Sequence, residues 1–351
     1  LGVVLKERGK LEEAIAAYRK AIAIDSNCSE AYNNLCNALR EQGKLEEAIA
    51  AYHKAIVVNP NFVDAHTNLI FTQDYHLDIG LKEQQAERQK WNQRFILPLS
   101  GSIQSHPNDR NPERLLRIGY VSADFRRHSA AQGFGQLILN YNQAQFDVFC
   151  YSGVVKEDEI TKQFKDVASS WYSTRGKSDE ELVEQIRNDE IDILIDLSGH
   201  TDGNRLLAFG YKPAPIQVTG MGHDAPGVTT IDYRLTTPIR TQPEEEKHFV
   251  EAPVYLDFFM GFMIPLETPS VGYLPAYENG YVTFGCLNRF SKVSDDSLEL
   301  WASLLKGIPD SKLLLKSGEL NDMELRGRTI DHLSHLGIAP NKVILLGQTS
   351  Q

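Results

Sequence analysis

Apolar and small residues recur at helical spacing in the first part of the chain. The segment Lys10–Ile24 places Ala14, Tyr18 and Ala21 three or four residues apart, and Lys44–Val58 repeats the pattern 34 residues later. Twelve of the fifteen positions are identical between the two segments. One such unit cannot bury its own apolar face. The pattern therefore predicts stacked pairs of helices.

A period of 34 residues is that of the tetratricopeptide repeat. Gly9 and Gly43 stand at the predicted turns between helices, and a third unit starts at Phe62. The sequence predicts a repeat domain over residues 1–76 and a helical and loop linker over residues 77–113, with a polar helix at 81–95. Stacked repeats form a concave surface that holds extended protein segments. Four side chains on the first helices are candidates to hold a peptide backbone, with solvated positions as the alternative: Asn33, Asn34, Asn37 and Asn68.

The pattern changes after the segment Leu97–Pro112, which is rich in Pro, Ser and Asn. β-rich runs then alternate with helical stretches, which predicts a parallel, doubly wound sheet over residues 114–270. The predicted strands are LLRIGYV, FDVFCYS, IDILIDL and IQVTGMG, and the predicted helices are Gln132–Gln143, Asp179–Asn188 and Asn204–Tyr211.

A second series begins with VTFGCLN at Val282. It continues with a helix at Asp295–Lys306, capped by Ser294, and with the strand SKLLLKS. This pattern predicts a second Rossmann-like lobe over residues 271–351. Because it has only about three strands, we expect this lobe to be truncated. The chain opens with Leu1 inside a predicted helix, so we expect an upstream cut as well.

Composition narrows the possible partners and the compartment. The net charge is −11, which argues against binding the phosphate backbone of nucleic acids. No apolar run is long enough to span a bilayer. The four cysteines are scattered without a Cys-x-x-Cys pair, which predicts neither a disulfide framework nor a zinc site. We therefore expect a cytoplasmic protein.

The strand ends carry the candidate chemistry, because ligands of doubly wound sheets bind at the carboxyl ends of strands. His128 and His200 follow two predicted strands, where an imidazole can donate a hydrogen bond or move a proton. Lys292 follows a third strand and is a candidate to neutralise a phosphate, with a solvated surface position as the alternative. Asp124, Asp196 and Asp202 are candidate bases or caps of turns.

Common nucleotide-binding motifs are absent from the sequence of the chain. It has no G-x-G-x-x-G after a strand, no P-loop and no Asp-x-Asp pair that would hold a diphosphate through a divalent ion. A bound diphosphate would therefore need protein cations or backbone amides.

Taken together, five segments resemble, in order, the catalytic region of the O-GlcNAc transferase/SPINDLY family. They are GYVSADFRRHS, DILIDLSGHTDGNRL, KPAPIQVTGMGH, IDYRLTT and VTFGCLNRFSK, and with the repeats they cover essentially the whole chain. The Pro213–Gln217 stretch and the Asn-x-x-x-Lys of Asn288–Lys292 are especially specific. The resemblance implies a tetratricopeptide solenoid followed by a two-lobed GT-B region. It also implies transfer of a sugar from a nucleotide-diphosphate sugar to Ser or Thr hydroxyls, with inversion and without metal or cofactor.

The resemblance also implies roles for individual residues. His128 matches the active-site histidine near the donor, and Met221 with Gly222 matches the loop that approaches the sugar. Arg289 and Lys292 match positions that contact the nucleotide, and Lys292 would stabilise the charge on the leaving diphosphate. His200 lies in the LSGHT motif, where it either lines the cleft or orients the loop.

Departures from the family pattern leave the donor open. His223-Asp224 stands where Tyr-Pro is usual, and Arg289 replaces a glutamine of the animal enzymes. These features lean toward the SPINDLY-like, bacterial branch, so UDP-GlcNAc and GDP-fucose are both candidate donors. The family's Thr-rich phosphate segment would lie after Gln351, so we expect this chain to bind the donor poorly and to turn over slowly.

Two other functions fit the same sequence. One is a repeat-based adaptor whose transferase-like region does not catalyse. The other is a GT-B enzyme that acts on a small molecule or glycan, which the peptide-holding repeats disfavour.

Overall fold

The computed structural model describes residues 1–111, 113–221, 225–257, 262–263, 268 and 270–348. The chain divides into two compact units. One unit contains residues 1–77 together with 268–351, and the other contains residues 78–267.

The first part of the chain forms the predicted helical pairs. Glycines with positive φ, Gly9 at +73° and Gly43 at +77°, make the turns between paired helices, where a side chain would be strained. The buried face is built from the repeated alanines, Tyr18 and Tyr52, together with Leu35 and Leu39. The helices are α1 (Gly2–Glu7), α2 (Leu11–Ile24), α3 (Ser29–Glu41), α4 (Leu45–Val58) and α5 (Val63–Gln73).

The unit of residues 78–267 begins with α6 (Leu81–Trp91), which runs on into a π-helical turn at Asn92–Ile96 and a 3₁₀ segment at Leu97–Ser102. The predicted polar helix at 81–95 thus changes its winding near its end. Trp91 is only 1% exposed, so the helix is anchored by an aromatic side chain despite its polar sequence.

A parallel sheet of seven strands forms the centre of this unit in the part of the chain that the structure describes. In the order β3-β2-β1-β4-β5-β6-β7, strands β2 and β3 are added on one side of β1 and strands β4 to β7 on the other. This change of side leaves a crevice at the carboxyl ends of β1 and β4. The strands are β1 (Leu116–Ser122), β2 (Phe146–Ser152), β3 (Ser170–Ser173), β4 (Ile193–Asp196), β5 (Ile216–Thr219), β6 (Tyr233–Thr236) and β7 (Ala252–Tyr255).

Among the described residues, four α-helices connect these strands: α7 (Ser129–Leu139), α8 (Glu159–Val167), α9 (Asp179–Asn188) and α10 (Leu206–Gly210). The prediction of α9 is confirmed, with Ser178 and Glu181 forming a capping box at its start. The predicted helix Gln132–Gln143 was wrong in its bounds, because His128 caps the helix and starts it three residues earlier. The helix predicted at Asn204–Tyr211 is shorter, and α8, β3, β6 and β7 were not predicted.

The segment before β1 lacks regular structure but is tied to the sheet. Asp192 accepts hydrogen bonds from the guanidinium of Arg114 at 2.6 and 2.7 Å and from the Asn108 amide at 2.8 Å. His106 Nε2 lies 2.9 Å from the carbonyl oxygen of Lys212. Burial would raise the pKa of Asp192, but the hydrogen bonds from Arg114, Arg117 and Asn108 lower it. The predicted linker is therefore fastened to this unit.

The last part of the chain forms a second parallel sheet of the order β10-β9-β8 among the described residues. The predicted cap at Ser294 is confirmed, since its hydroxyl accepts a hydrogen bond from Ser297 N at 3.2 Å. The elements are α11 (Pro275–Asn279), β8 (Val282–Cys286), α12 (Asp295–Gly307), β9 (Ser311–Lys316), α13 (Met323–His335) and β10 (Val343–Leu346).

Candidate functional site

His128 lies at the crevice side of β1, on the loop that follows this strand. It is the N-cap of α7, and its Nδ1 accepts a hydrogen bond from Ala130 N at 3.3 Å. The same Nδ1 lies 3.4 Å from Asp124 Oδ1, and the imidazole keeps 24% of its surface exposed. The two contacts need opposite states of Nδ1, unprotonated for Ala130 and protonated for Asp124. The ring can therefore present Nε2 either as a donor or as an acceptor.

The loop that carries His128 is held in place by neighbouring acidic residues. Arg126 donates to Asp124 Oδ1 at 3.2 Å, and Arg127 N donates to Asp158 Oδ2 at 2.7 Å. Asp158 also caps α8 in a capping box with Thr161. Although burial would raise the pKa of Asp158, the hydrogen bonds from Arg127, Thr161 and Ile160 lower it. Asp158 thus works as a carboxylate that fixes both α8 and the His128 loop.

Asp196 ends β4 on the other side of the crevice and is fully enclosed. Its carboxylate accepts hydrogen bonds from Ser198 N at 3.1 Å, from Gly199 N at 3.0 Å and from the Thr219 hydroxyl at 2.9 Å. Burial raises the pKa of Asp196, and these three donors only partly offset that effect. Its side chain joins the loop after β4 to the end of β5, and its burial leaves it inaccessible from the crevice.

This burial predicts a pH dependence for Asp196→Asn. The folded protein holds the Asp196 proton more tightly than the unfolded chain, so the carboxyl contributes less stability as pH rises above about 4. Asparagine stays neutral, so the stability of the variant relative to the parent should increase with pH between about 4 and 7. Urea unfolding followed by tryptophan fluorescence at several pH values measures the difference.

The matched control is Asp158→Asn, for which the expected sign is opposite. The pKa of Asp158 is lowered, so its stabilisation is present above the unfolded pKa and disappears as pH falls through the folded value. This variant should therefore lose stability relative to the parent as pH rises toward about 4, and the difference should stay constant from there to about 7. A constant difference for Asp196→Asn across the range would contradict a raised pKa.

His200 lies in the loop after β4 and is only 1% exposed. Its Nε2 is 2.9 Å from the carbonyl oxygen of Pro226, which can only accept, so Nε2 carries the hydrogen. The ring packs edge-on against Trp91, with 5.0 Å between ring centres and an interplanar angle of 85°. His200 thus bridges α6 and the loop after β5. Its assignment to donor binding stays a prediction.

The loop after β5 starts with a backbone that only glycine fits. Gly220 has φ +103°, and a Cβ there would lie 2.4 Å from the backbone oxygen of Leu235. Met221 follows and is buried in the core of the sheet. Gly222, His223 and Asp224 lie outside the described residues, so the prediction that Met221 and Gly222 approach the sugar is not tested.

The described end of this loop is fastened from two sides. Glu251 accepts hydrogen bonds from Gly227 N at 2.8 Å and Val228 N at 2.9 Å, and Arg88 Nε donates to the carbonyl of Ala225 at 3.0 Å. Burial raises the pKa of Glu251, partly offset by these hydrogen bonds and by the charge of Arg88. The loop is therefore preorganised by buried groups.

The other unit carries the predicted cations at the carboxyl end of β8. Arg289 precedes a 3₁₀ turn, Phe290–Lys292, and both cationic side chains are exposed. Phe290 is buried, and its N–H donates to Ser317 Oγ at 3.2 Å, which holds the turn against β9. The Nζ of Lys292 lies 5.5 Å from the ring centre of Tyr75.

Similarity to known proteins shows to which family the chain belongs. The profile of Glycosyl transferase family 41 matches residues 96–265, and profiles of tetratricopeptide repeats match residues 2–39 and 29–62. A solved O-GlcNAc transferase of Thermobaculum terrenum, in a lysine-to-methionine variant, superposes on the whole chain. Its TM-score is 0.90 at 30% identity, and 67% of that chain is covered. The chain belongs to the O-GlcNAc transferase/SPINDLY family.

Curated relatives support the same family. The probable UDP-N-acetylglucosamine–peptide N-acetylglucosaminyltransferase SPINDLY of Petunia hybrida is 35% identical over 73% of this chain and 28% of its own length. The UDP-N-acetylglucosamine–peptide N-acetylglucosaminyltransferase of Caenorhabditis elegans is 32% identical over 42% of this chain and 13% of its own length. The chain thus spans less than a third of these relatives.

In this member of the family, the predicted fold class is confirmed as repeats followed by a parallel α/β GT-B-like region. Among the described residues, no helix has the length and apolarity needed to cross a bilayer.

Sequence reasoning missed several residues that build the site. Asp158 was detectable in principle from the Asp-x-x-Thr spacing of a capping box. Trp91, Glu251 and Tyr75 had no local signal, because their contacts come from distant parts of the sequence.

Proposed function

We propose that the chain is the repeat-bearing part of a protein O-glycosyltransferase that moves a sugar from a nucleotide-diphosphate sugar to Ser or Thr hydroxyls. The observation that carries the proposal is the exposed pair Arg289 and Lys292 at the carboxyl end of β8, in a chain of glycosyl transferase family 41. Strand ends of this kind bind nucleotides in doubly wound folds. Without an Asp-x-Asp pair, these cations are suited to hold the diphosphate.

The proposed reaction is metal-independent and inverts the anomeric carbon. The acceptor hydroxyl oxygen attacks that carbon from the face opposite the diphosphate and gives up its proton to a base. The bond between the carbon and the diphosphate oxygen breaks, and its electron pair stays on the diphosphate. Lys292 then stabilises the charge that develops on the leaving group, as preorganised cations do in such transition states. Arg289 would bind the nucleotide.

His128 is suited to the donor side of this reaction. When Nδ1 accepts from Ala130 N, the neutral ring carries its hydrogen on Nε2 and can donate to a sugar or phosphate oxygen. When Nδ1 is protonated toward Asp124, the unprotonated Nε2 of a neutral ring can accept a proton. We assign His128 to donor contact and leave the general base unassigned.

The repeats would hold the protein acceptor. Asn33 and Asn68 occupy α3 and α5, and their side chains are joined by a hydrogen bond of 3.1 Å. Asn37 accepts from the Tyr52 hydroxyl at 2.7 Å. Asn33 is buried, and these bonds use part of the hydrogen-bonding capacity of the amides. The concave surface of stacked repeats, which suits extended peptides, is therefore the main reason to favour a protein acceptor over a small molecule.

The proposal is tested with the full natural polypeptide. Titration calorimetry against UDP-GlcNAc and GDP-fucose measures donor binding, and mass spectrometry of a Ser/Thr peptide after incubation identifies the transferred sugar. The names of the relatives favour UDP-GlcNAc, and the SPINDLY-like features keep GDP-fucose as the second donor. Binding of neither donor, with peptide still captured by the repeats, would support an adaptor instead.

Two substitutions of His128 separate its structural and chemical roles. Asparagine is a good N-cap, so His128→Asn should keep the stability of α7 while it loses the imidazole. Alanine loses both, so His128→Ala should also cost about 1 kcal/mol in unfolding free energy. We expect both variants to lose transfer activity about 100-fold. An active His128→Asn enzyme would show that only the cap matters.

A further inference from the structure

The last repeat contacts the predicted nucleotide-binding turn. Tyr75 follows the end of α5, and the Nζ of Lys292 lies 5.5 Å from the centre of its ring. A cation within about 6 Å of the face of a tyrosine is attracted by the ring quadrupole. The contact joins two segments of the same compact unit that are far apart in sequence.

The ring of Tyr75 is itself supported from within the repeats. Phe71 packs edge-on against Tyr75, with 5.0 Å between ring centres and an interplanar angle of 73°. The guanidinium of Arg40 lies 5.0 Å from the centre of the Phe71 ring. A continuous row of contacts therefore leads from Arg40 on α3, through Phe71 on α5, to Tyr75 and Lys292.

The side chain of Tyr75 is neutral, and positively charged side chains surround it. Burial raises the pKa of its hydroxyl, and the charges of Arg289 and Arg40 lower it only in part. At neutral pH it attracts Lys292 through its ring and not as a phenolate. Arg289, the other predicted nucleotide cation, acts on Tyr75 electrostatically as well.

We propose that Tyr75 is a positioning residue for Lys292, so that the repeat domain contributes directly to the geometry of the donor site. This proposal rests on the proposed function, in which Lys292 stabilises the leaving diphosphate. The backbone of the turn is held by buried Phe290 and by Ser317. The exposed lysine side chain has four rotatable bonds, and the Tyr75 ring restricts where its Nζ lies.

The ring face and not the hydroxyl makes this contact, which fixes the choice of variants. Tyr75→Phe keeps the ring, whereas Tyr75→Leu keeps apolar bulk without a π face. The chain also offers a matched control. Lys312 lies 4.2 Å from the ring centre of Tyr281, a second lysine–tyrosine pair in the same unit. Tyr281 and Lys312 lie at the amino ends of β8 and β9, away from the predicted site.

The experiment measures kcat and the acceptor KM of the full natural polypeptide with the donor that it uses. We expect Tyr75→Leu to lower kcat about fivefold, which corresponds to about 1 kcal/mol in transition-state stabilisation. Tyr75→Phe and Tyr281→Leu should stay within about twofold, and the acceptor KM should not change. In a Lys292→Met background, Tyr75→Leu should have no further effect, because the residue it positions is gone.

A second readout does not depend on catalysis. Reductive methylation with ¹³C-formaldehyde gives each lysine an NMR signal, and the signal lost in Lys292→Arg assigns Lys292. Ring-current shifts from Tyr75 should disappear in Tyr75→Leu and remain in Tyr281→Leu.

The outcomes distinguish the two proposals. If Lys292→Met keeps full turnover, or the polypeptide transfers no sugar, the proposed function fails and the role of Tyr75 in transfer fails with it. If Lys292→Met is impaired but Tyr75→Leu lowers kcat equally in both backgrounds, only the positioning role is overturned. An unchanged Lys292 signal in Tyr75→Leu overturns it as well.

Discussion

Lys292→Met is expected to lower kcat of the full natural polypeptide about 100- to 1,000-fold, the usual effect of removing one preorganised group from the developing charge. Methionine keeps much of the length of the side chain and its packing, but it cannot neutralise a leaving diphosphate. Donor binding should weaken less than turnover, because the charge on the leaving oxygen increases as the bond to the sugar breaks. Single-turnover kinetics at saturating donor, with calorimetry for the dissociation constant, separates the two effects.

The control for this variant is Lys312→Met, which removes another lysine that lies over a tyrosine in the same unit. It should leave kcat unchanged within about twofold, because Lys312 lies at the amino end of β9. A loss of less than about tenfold for Lys292→Met would contradict its assignment to the leaving group.

Gly220→Ala is expected to give the largest loss of stability, about 3 kcal/mol or more. The residue has φ +103°, which is unfavourable for an L side chain. In addition, the new Cβ would lie 2.4 Å from the backbone oxygen of Leu235 and 2.9 Å from its nitrogen. Neither atom can rotate away like a flexible side chain, so β5 and β6 must move apart. Since Met221 follows directly, the loop after β5 should be displaced as well.

The matched control is Gly176→Ala in the same unit. Gly176 has φ +72°, but a Cβ there meets nothing within 4 Å. Gly176→Ala should therefore lower the free energy of unfolding by only about 1 kcal/mol, which is the cost of the backbone conformation alone.

Unfolding in urea is followed in a Trp301→Phe background, so that the remaining tryptophans, Trp91 and Trp171, both lie in the unit of residues 78–267. Equal shifts for Gly220→Ala and Gly176→Ala would show that the contact with Leu235 is relieved without cost.

Local patterns were enough to predict the elements that carry their own signals. Ser178 and Glu181 are spaced as a capping box, and α9 starts where they predict. The helix Ser29–Glu41 and its neighbours follow from the repeat period. By contrast, β6 and β7 have only four residues each and little apolar alternation, so their pairing depends on the neighbouring strands. The start of α7 was missed because histidine is an uncommon cap.

The candidate site was predictable in position but not in contacts. His128 and Lys292 follow strands, and the rule for doubly wound folds places such residues at the ligand edge of their sheets. The spacing of Asp124 and His128 along the loop does not reveal that Asp124 Oδ1 and Ala130 N both contact the Nδ1 of His128. The enclosure of His200 depends on Trp91 from α6, and the ring contact of the exposed Lys292 depends on Tyr75 from the last repeat. Such tertiary contacts have no local sequence signature.

The hydrogen bonds from Asn108 and Arg114 to Asp192 limit where the unit of residues 78–267 can be shortened. A protein that starts at β1 would leave the Asp192 carboxylate, only 6% exposed, without Asn108 and Arg114. The carboxylate would then keep the hydrogen bond from Arg117 N but lose its ion pair with Arg114, which is unfavourable. A stable, separately expressed lobe therefore has to begin upstream of His106, inside a stretch whose composition suggests a dispensable tether.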